Sequence, residues 1–211
     1  MDPKIQSLLQ TLRANNLAAH YLPDRDAARE RVLSLIPEGA VVGYGDSLTL
    51  RQIGVVDALE SGPYTFLNPW AAETVEENVR LKRRALTSDV FVTGTNALTL
   101  DGKLVNVDGH GNRVAAMLFG PQAVIIVVGI NKIVPDLDAA LARIREVSAP
   151  QNVARHTDFD PMPPCGITGE CSDCNSPWRI CNKTVIFQRE YSNHKYSPVT
   201  TIVIVGEELG L

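Results

Sequence analysis

The run Ala123–Val128 (AVIIVV), which passes straight into Gly129-Ile130-Asn131-Lys132, constrains the fold more than any other feature of the chain. Six apolar residues with no polar break read as a strand covered on both faces, not as one side of a wetted ribbon. Val90–Thr93 is a second such run and gives way to Gly94-Thr95-Asn96. Ala40–Gly43 is a third, followed at once by Tyr44-Gly45-Asp46-Ser47. Helical patterns separate these runs. Strands alternating with helices specify an α/β fold with a largely parallel sheet. In open sheets of that kind, ligands gather at the carboxyl ends of the strands.

Around these strands the pattern predicts further elements. Ile5, Leu8, Leu9 and Leu12 form a helical stripe started by Asp2-Pro3, Leu17–Leu22 is a short strand, and Asp24 opens a second helix that ends at Pro37-Glu38-Gly39. Ser47–Leu59 reads as one amphipathic helix, Tyr64–Leu67 as a strand, and Ala71–Leu86 as a helix with acids early and bases late. Asp101-Gly102 signals a type I′ hairpin between Leu98–Leu100 and Lys103–Val107. Helices are expected over Asn112–Phe119 and Asp136–Val147, with late strands at Thr184–Phe187 and Thr200–Val205. From Ala149 onward, Pro150, Pro161, Pro163 and Pro164 suggest a loop. The organisation expected is one domain over 1–211, with a helical segment at 1–36 and a cysteine-rich, metal-binding segment at 161–183.

A formal charge of −4 offers no basic face for nucleic acid. The Met1 end shows no charged-then-apolar leader, and no apolar run nears the roughly 20 residues of a membrane span. The expected compartment is therefore the cytoplasm, where clustered cysteines bind metal or stay free more often than they pair.

Three polar pieces follow the three buried runs. Gly43-Tyr44-Gly45-Asp46-Ser47 places glycines where a strand turns into a helix, so that Gly43, Gly45 and Ser47 either bind an anion or merely make and cap a turn. Position 48 is Leu48, which excludes a dinucleotide fingerprint. Thr95, Asn96, Asn106 and Asn112 offer amides and a hydroxyl, or simply satisfy turns. Asp108 is a candidate general base and Arg113 a candidate bidentate anion holder. His110, between two glycines, is expected to be exposed. Lys132 follows the third run and is a candidate anion contact. His20, His110, His156 and His194 lack the nucleophile elbow that a serine triad would need.

The four cysteines fall in Cys165-x5-Cys171-x2-Cys174-x6-Cys181. With no histidine inside the segment, the metal reading is an all-sulfur site. An iron–sulfur cluster, a structural zinc and free thiols all stay open, because spacing alone does not name the metal.

Gly43–Ser47, the stretch SDVFVTGTNALTLDGKLVNVDGHGNRVAAMLFGP and VGINKIV together resemble the lactate-utilisation (LUD) domain family over nearly the whole chain. The segment CGITGECSDCNSPWRICNKTVIF is similar to the cysteine-bearing tail of a single-domain subset. The resemblance implies a Rossmann-like sheet similar to those of sugar-phosphate isomerases, coenzyme A transferases and formyltetrahydrofolate cyclo-ligases. It also implies a pocket lined by Gly45, Ser47, Thr95, Asn96, Asn106, Asp108, Asn112, Arg113 and Lys132. Some members serve a multi-protein system that oxidises L-lactate to pyruvate with iron–sulfur redox partners. The expectation is a protein of lactate or small organic acid utilisation that binds an anionic small molecule and carries an iron–sulfur cluster. The alternative is a phosphate-sugar or acyl/coenzyme A-type enzyme, or a binding subunit, with a structural zinc tail.

Overall fold

The computed structural model describes every residue except Thr157, Asn193, His194, Tyr196 and Ser197. His194, one of the four histidines weighed above, therefore lies outside the described residues. In chain order the elements are α1 (Pro3–Ala14), β1 (Ala18–Leu22), α2 (Arg25–Ser34), β2 (Val41–Gly45), α3 (Leu48–Gln52), α4 (Val55–Ser61) and β3 (Thr65–Leu67). Then come α5 (Val75–Ala85), β4 (Val90–Gly94), β5 (Ala97–Thr99), β6 (Leu104–Asp108), α6 (Asn112–Leu118), β7 (Ala123–Gly129) and β8 (Ile133–Val134). The chain closes with α7 (Leu137–Arg143), α8 (Ala149–Ala154), α9 (Pro164–Thr168), β9 (Lys183–Phe187) and β10 (Val199–Val205).

The α/β architecture is the expected one. Six parallel strands form the main sheet in the order β1-β10-β7-β4-β2-β3. Alternate residues of a strand point to opposite faces, and β7 and β10 use both. Val124, Ile126, Val128, Ile202 and Ile204 pack with α1 and α6 on one side. Ile125, Val127, Val203 and Val205 pack with α2, α3 and α4 on the other. Burial on two faces is why AVIIVV carries no polar break. A smaller mixed sheet, β8-β5-β6-β9, stands beside the strand ends, covered by Ala140 of α7 and by Ile144 just after it.

Local chemistry sets most boundaries. Asp2, Asp24, Ser47, Thr74 and Asp136 each accept a backbone N–H in the first turn of the helix they precede. Segment 1–36 is more than helical, because β1 joins the main sheet against β10.

Three expectations change. The single helix over Ser47–Leu59 is two, because Gly54 takes φ 71° and breaks the ladder between α3 and α4. The hairpin is not type I′, which needs positive φ at both central residues. Only Gly102 has it (φ 83°); Gly102 N–H donates to Thr99 O and Thr99 N–H to Lys103 O, a three-residue loop closed by a left-handed glycine. The helix begun at α7 does not stop at Val147. It passes through one π turn, Ile144–Ser148, into α8, where Pro150 sits in the first turn of α8. Among the described residues no helix is long and apolar enough to cross a membrane.

Candidate functional site

Strands β2, β4 and β7 end side by side at Gly45, Gly94 and Gly129. A cleft of about 690 Å³ opens above them. It brings together Gly45, Ser47, Thr95, Asn96, Asp108, Asn112, Arg113 and Lys132 from four separate stretches of sequence. Gly43 and Asn106 are not on its surface, and of the cysteines only Cys181 is.

The glycine corner differs from its sequence reading. Gly43 and Gly45 lie inside β2 rather than in a turn after it. A Cβ on Gly43 would meet Ala85, Ser88 and Phe91, and one on Gly45 would meet Phe91, Thr93 and the Arg113 stem, each under 3 Å. Both glycines thus serve close packing. Ser47 N–H donates to the Tyr44 hydroxyl (3.0 Å), and the Ser47 hydroxyl accepts from Leu50 N–H (3.3 Å). The Ser47 N–H is therefore used within the turn, while its hydroxyl, an acceptor there, keeps a proton to donate.

Arg113 is the knot of the cleft wall. Its Nε donates to Asp108 Oδ1 (2.9 Å). Nη1 donates to Asn106 Oδ1 (2.7 Å) and Gly94 O (3.2 Å), and Nη2 to Asn96 Oδ1 (3.0 Å) and Val107 O (3.1 Å). A guanidinium has five N–H donors, and all five are engaged. Asp108 is committed as well: its other oxygen accepts the Val114 N–H (3.1 Å) at the start of α6. The pair joins β4, β6 and α6, and in this conformation Arg113 has no donor left for an anion. Asn106 is buried, and its Nδ2 has no partner among the described residues.

Lys132 is the opposite case. It is 5% exposed, and its Nζ donates to the Thr49 hydroxyl (3.0 Å). No carboxylate among the described residues pairs with it. Burial, then the charges of Arg143 and Arg113, push its pKa down to about 7. A side chain on Gly210 would strike both Thr49 and the Lys132 ammonium, so the last turn of the chain passes close behind this amine. Arg143 stands nearby, with Nη1 donating to Asn96 O (2.7 Å) and the Ser148 hydroxyl (2.7 Å) and Nε to Asn131 O (3.2 Å). Burial lowers its pKa too.

The cysteine segment closes over one side. Asn182 N–H donates to Asp108 O (3.1 Å) and Lys183 Nζ to Gly109 O (2.7 Å), and the start of β9 pairs with the end of β6. Pro177–Asn182 therefore becomes cleft wall. All four cysteines are free thiols. Burial, then the charges of Cys174, Cys181 and Cys171, push the Cys165 thiol up. Arg179 Nε donates to Cys181 Sγ (3.2 Å) and its Nη1 to Cys174 O (2.7 Å), placing a positive charge beside them. Among the described residues no three cysteine, histidine or acidic groups stand as a ready metal cage. The donor chemistry itself, four thiols in one segment with a guanidinium at the Cys181 sulfur, suits an all-thiolate group.

His110 is exposed at the cleft rim, as its flanking glycines imply. Burial and then Lys82 and Lys183 lower its pKa. Sequence reasoning missed Arg143, which no local pattern singles out, and Lys82, which belongs to the charged face of the helix over Ala71–Leu86. It also missed the aromatic wall formed by Trp70, His156, Phe159 and Trp178. The one signal for that wall was two tryptophans placed in aperiodic Pro-Trp loops.

A parallel α/β sheet with a polar cleft over its strand ends defines the class. The chain belongs to the LUD-domain family, whose model matches residues 5–205. A DUF162 family protein from Deinococcus radiodurans is similar in structure, with a TM-score of 0.54 at 12% identity over 96% of this chain and 95% of that one. Ribose 5 phosphate isomerase A from Neisseria gonorrhoeae aligns over 62% of each chain, at 15% identity and a TM-score of 0.34. The eIF2B delta protein from Chaetomium thermophilum aligns over 65% of this chain and 55% of its own, at 17% identity and a TM-score of 0.36. None of the curated proteins matches the chain.

Proposed function

We propose that this LUD-domain protein acts in lactate or small organic acid utilisation by binding an organic anion in the cleft above β2, β4 and β7. The observation that carries the reading is Lys132, a buried amine with a neutral partner and no acid. A charge in such a place is costly unless it is paired. A ligand carboxylate would supply the missing partner, aided by Arg143 behind it and by Ser47, Asn96 and Asn112 along the walls; the Thr95 hydroxyl donates to Ala97 O (3.1 Å) and shapes the wall. Arg113 and Asp108 hold the wall in shape; a base role for Asp108 would need it to release Arg113 or Val114.

In this reading Cys165, Cys171, Cys174 and Cys181 would hold an iron–sulfur cluster, which supplies one-electron transfer to redox partners of a lactate-oxidation system. Arg179 would offset the thiolate charge. The alternative is a non-redox enzyme for phosphate-sugar or acyl/coenzyme A ligands, or a binding subunit, with a structural zinc in place of the cluster. The cleft's volume favours keeping it, since about 690 Å³ exceeds the needs of a three-carbon acid.

One preparation tests both halves. Anaerobically purified protein should be brown, absorb near ~400 nm and contain iron; a colourless protein with one zinc supports the alternative. Calorimetric titration with L-lactate and pyruvate should show binding that Lys132→Met abolishes. Equal affinity in that variant would overturn the cleft assignment.

A further inference from the structure

Four rings run in a contiguous series along the cleft. Trp70 and His156 have centroids 5.8 Å apart and planes tilted by 45°. His156 and Phe159 stack at 4.7 Å and 24°, and Phe159 and Trp178 at 5.6 Å and 23°. The rings come from three places: the short turn Pro69–Ala71, the loop after α8, and the cysteine segment. All four border the cleft.

A staple that only fixed the cysteine segment would bury its end rings. Here Trp70 is 45% exposed and Trp178 is 42% exposed. Leaving two indoles half-wet inside a concave site forgoes a large apolar burial. The rings are also held in advance, since Trp178 Nε1 donates to Asp160 O (2.6 Å). Ring separations of 4.7–5.8 Å lie within the usual aromatic range of about 4.5–7 Å, so a free indole face is a ready place for one more ring.

Size and charge narrow the guest. A cleft of about 690 Å³ lies in the range of roughly 300–1,000 Å³ that takes multi-ring ligands. Lys82 and Arg155 line the same cleft as the rings. Burial lowers the Lys82 pKa, with Asp46 working the other way. The Arg155 guanidinium stands 3.8 Å from Asp46 and donates to Asn152 Oδ1 (3.2 Å), so neither cation is closely neutralised.

We propose that the cleft binds a planar heteroaromatic ring carrying a phosphate, with the ring on the Trp70–Trp178 wall and the phosphate at Lys82 and Arg155. The proposal rests on the reading of this cleft as the ligand site and adds a second, larger ligand beside the organic acid. A flavin phosphate and an adenine nucleotide share the required chemistry.

The chain's two tryptophans are both on the wall, so intrinsic fluorescence reports on it directly. Full-length, anaerobically purified protein is titrated with flavin mononucleotide, adenosine diphosphate, ribose 5-phosphate and inorganic phosphate, with calorimetry as a second measure. The expected result is quenching by at least one ring-bearing ligand, which binds about tenfold or more tightly than ribose 5-phosphate. Trp70→Ala and Trp178→Ala should each weaken that ligand about tenfold, while Trp70→Phe and Trp178→Phe keep most of the affinity and guard against misfolding. The preferred ring is read from the first two arms. Ring-bearing ligands that bind no better than ribose 5-phosphate overturn the proposal, as does affinity unchanged in both alanine variants. Titrations of L-lactate and pyruvate on the same sample separate the two readings. Small acids that bind while rings do not sink this proposal alone; rings that bind while small acids do not sink the organic-acid reading alone.

Discussion

The wall around Arg113 and the floor at Lys132 border one cleft, yet they treat positive charge in opposite ways. Arg113 meets five oxygen acceptors, one of them on the Asp108 carboxylate, and becomes structure. Lys132 meets one hydroxyl and two repelling arginines, and stays available. A cation that is fully partnered adds rigidity and little reactivity. One that is buried with only a neutral partner stores an unfavourable interaction that a ligand can relieve. Stored cost of that kind marks functional positions more often than saturated networks do.

Arg113→Met should break the contrast most severely. It strands the Asp108 carboxylate and unties β4, β6 and α6, and removing one partner of a buried pair typically costs about 3–5 kcal/mol. Thermal unfolding should show the midpoint falling by roughly 10 °C. A loss under about 1 kcal/mol would mean the knot is ornamental.

Lys132→Met should act in the other direction. The ordinary lysine pKa of 10.5 falls to about 7 in the fold. Between those values the unfolded chain holds a proton that the folded chain has released, so stability rises with pH across about 7 to 10.5. Below about 7 the cost of the buried charge is fully in force. The variant should lose this slope and gain on the order of 1–3 kcal/mol at neutral and acidic pH, as read from denaturant midpoints at several pH values. A wild-type protein with a flat profile over that range would count against a neutral-leaning Lys132.

The smallest effect on folding is expected from the cysteine segment. Cys171 is exposed and no core cluster includes it. In metal-free protein Cys171→Ser should change stability by less than about 0.5 kcal/mol. In anaerobically loaded protein it should remove most of the bound metal, measured by elemental analysis. Equal metal content in variant and wild type would exclude Cys171 as a ligand.

Much of the fold was legible because its signals are local. The apolar runs at Val90 and Ala123, the caps at Asp24 and Ser47 and the late strands near Thr184 and Thr200 follow from burial on two faces and from unsatisfied first-turn N–H groups. Where the reading slipped, a single backbone torsion or turn decided the outcome, as at Gly54, at Gly102 and in the π turn after Arg143. Most of the cleft lining is legible too, because residues just past parallel buried strands gather at one sheet edge.

The roles were not legible. Local pattern suffices for the parallel α/β sheet, for the sheet edge where the cleft opens and for the clustering of four cysteines in the tail. Contacts between distant segments settle that Arg113 is saturated and Lys132 is not, that Gly43 and Gly45 sit close-packed inside β2, and that Trp70 and Trp178 border one cleft. Fold class depends on periodicity along the chain. The character of a charged side chain depends on which distant acceptors reach it and on how much water remains, and no neighbour in sequence fixes either.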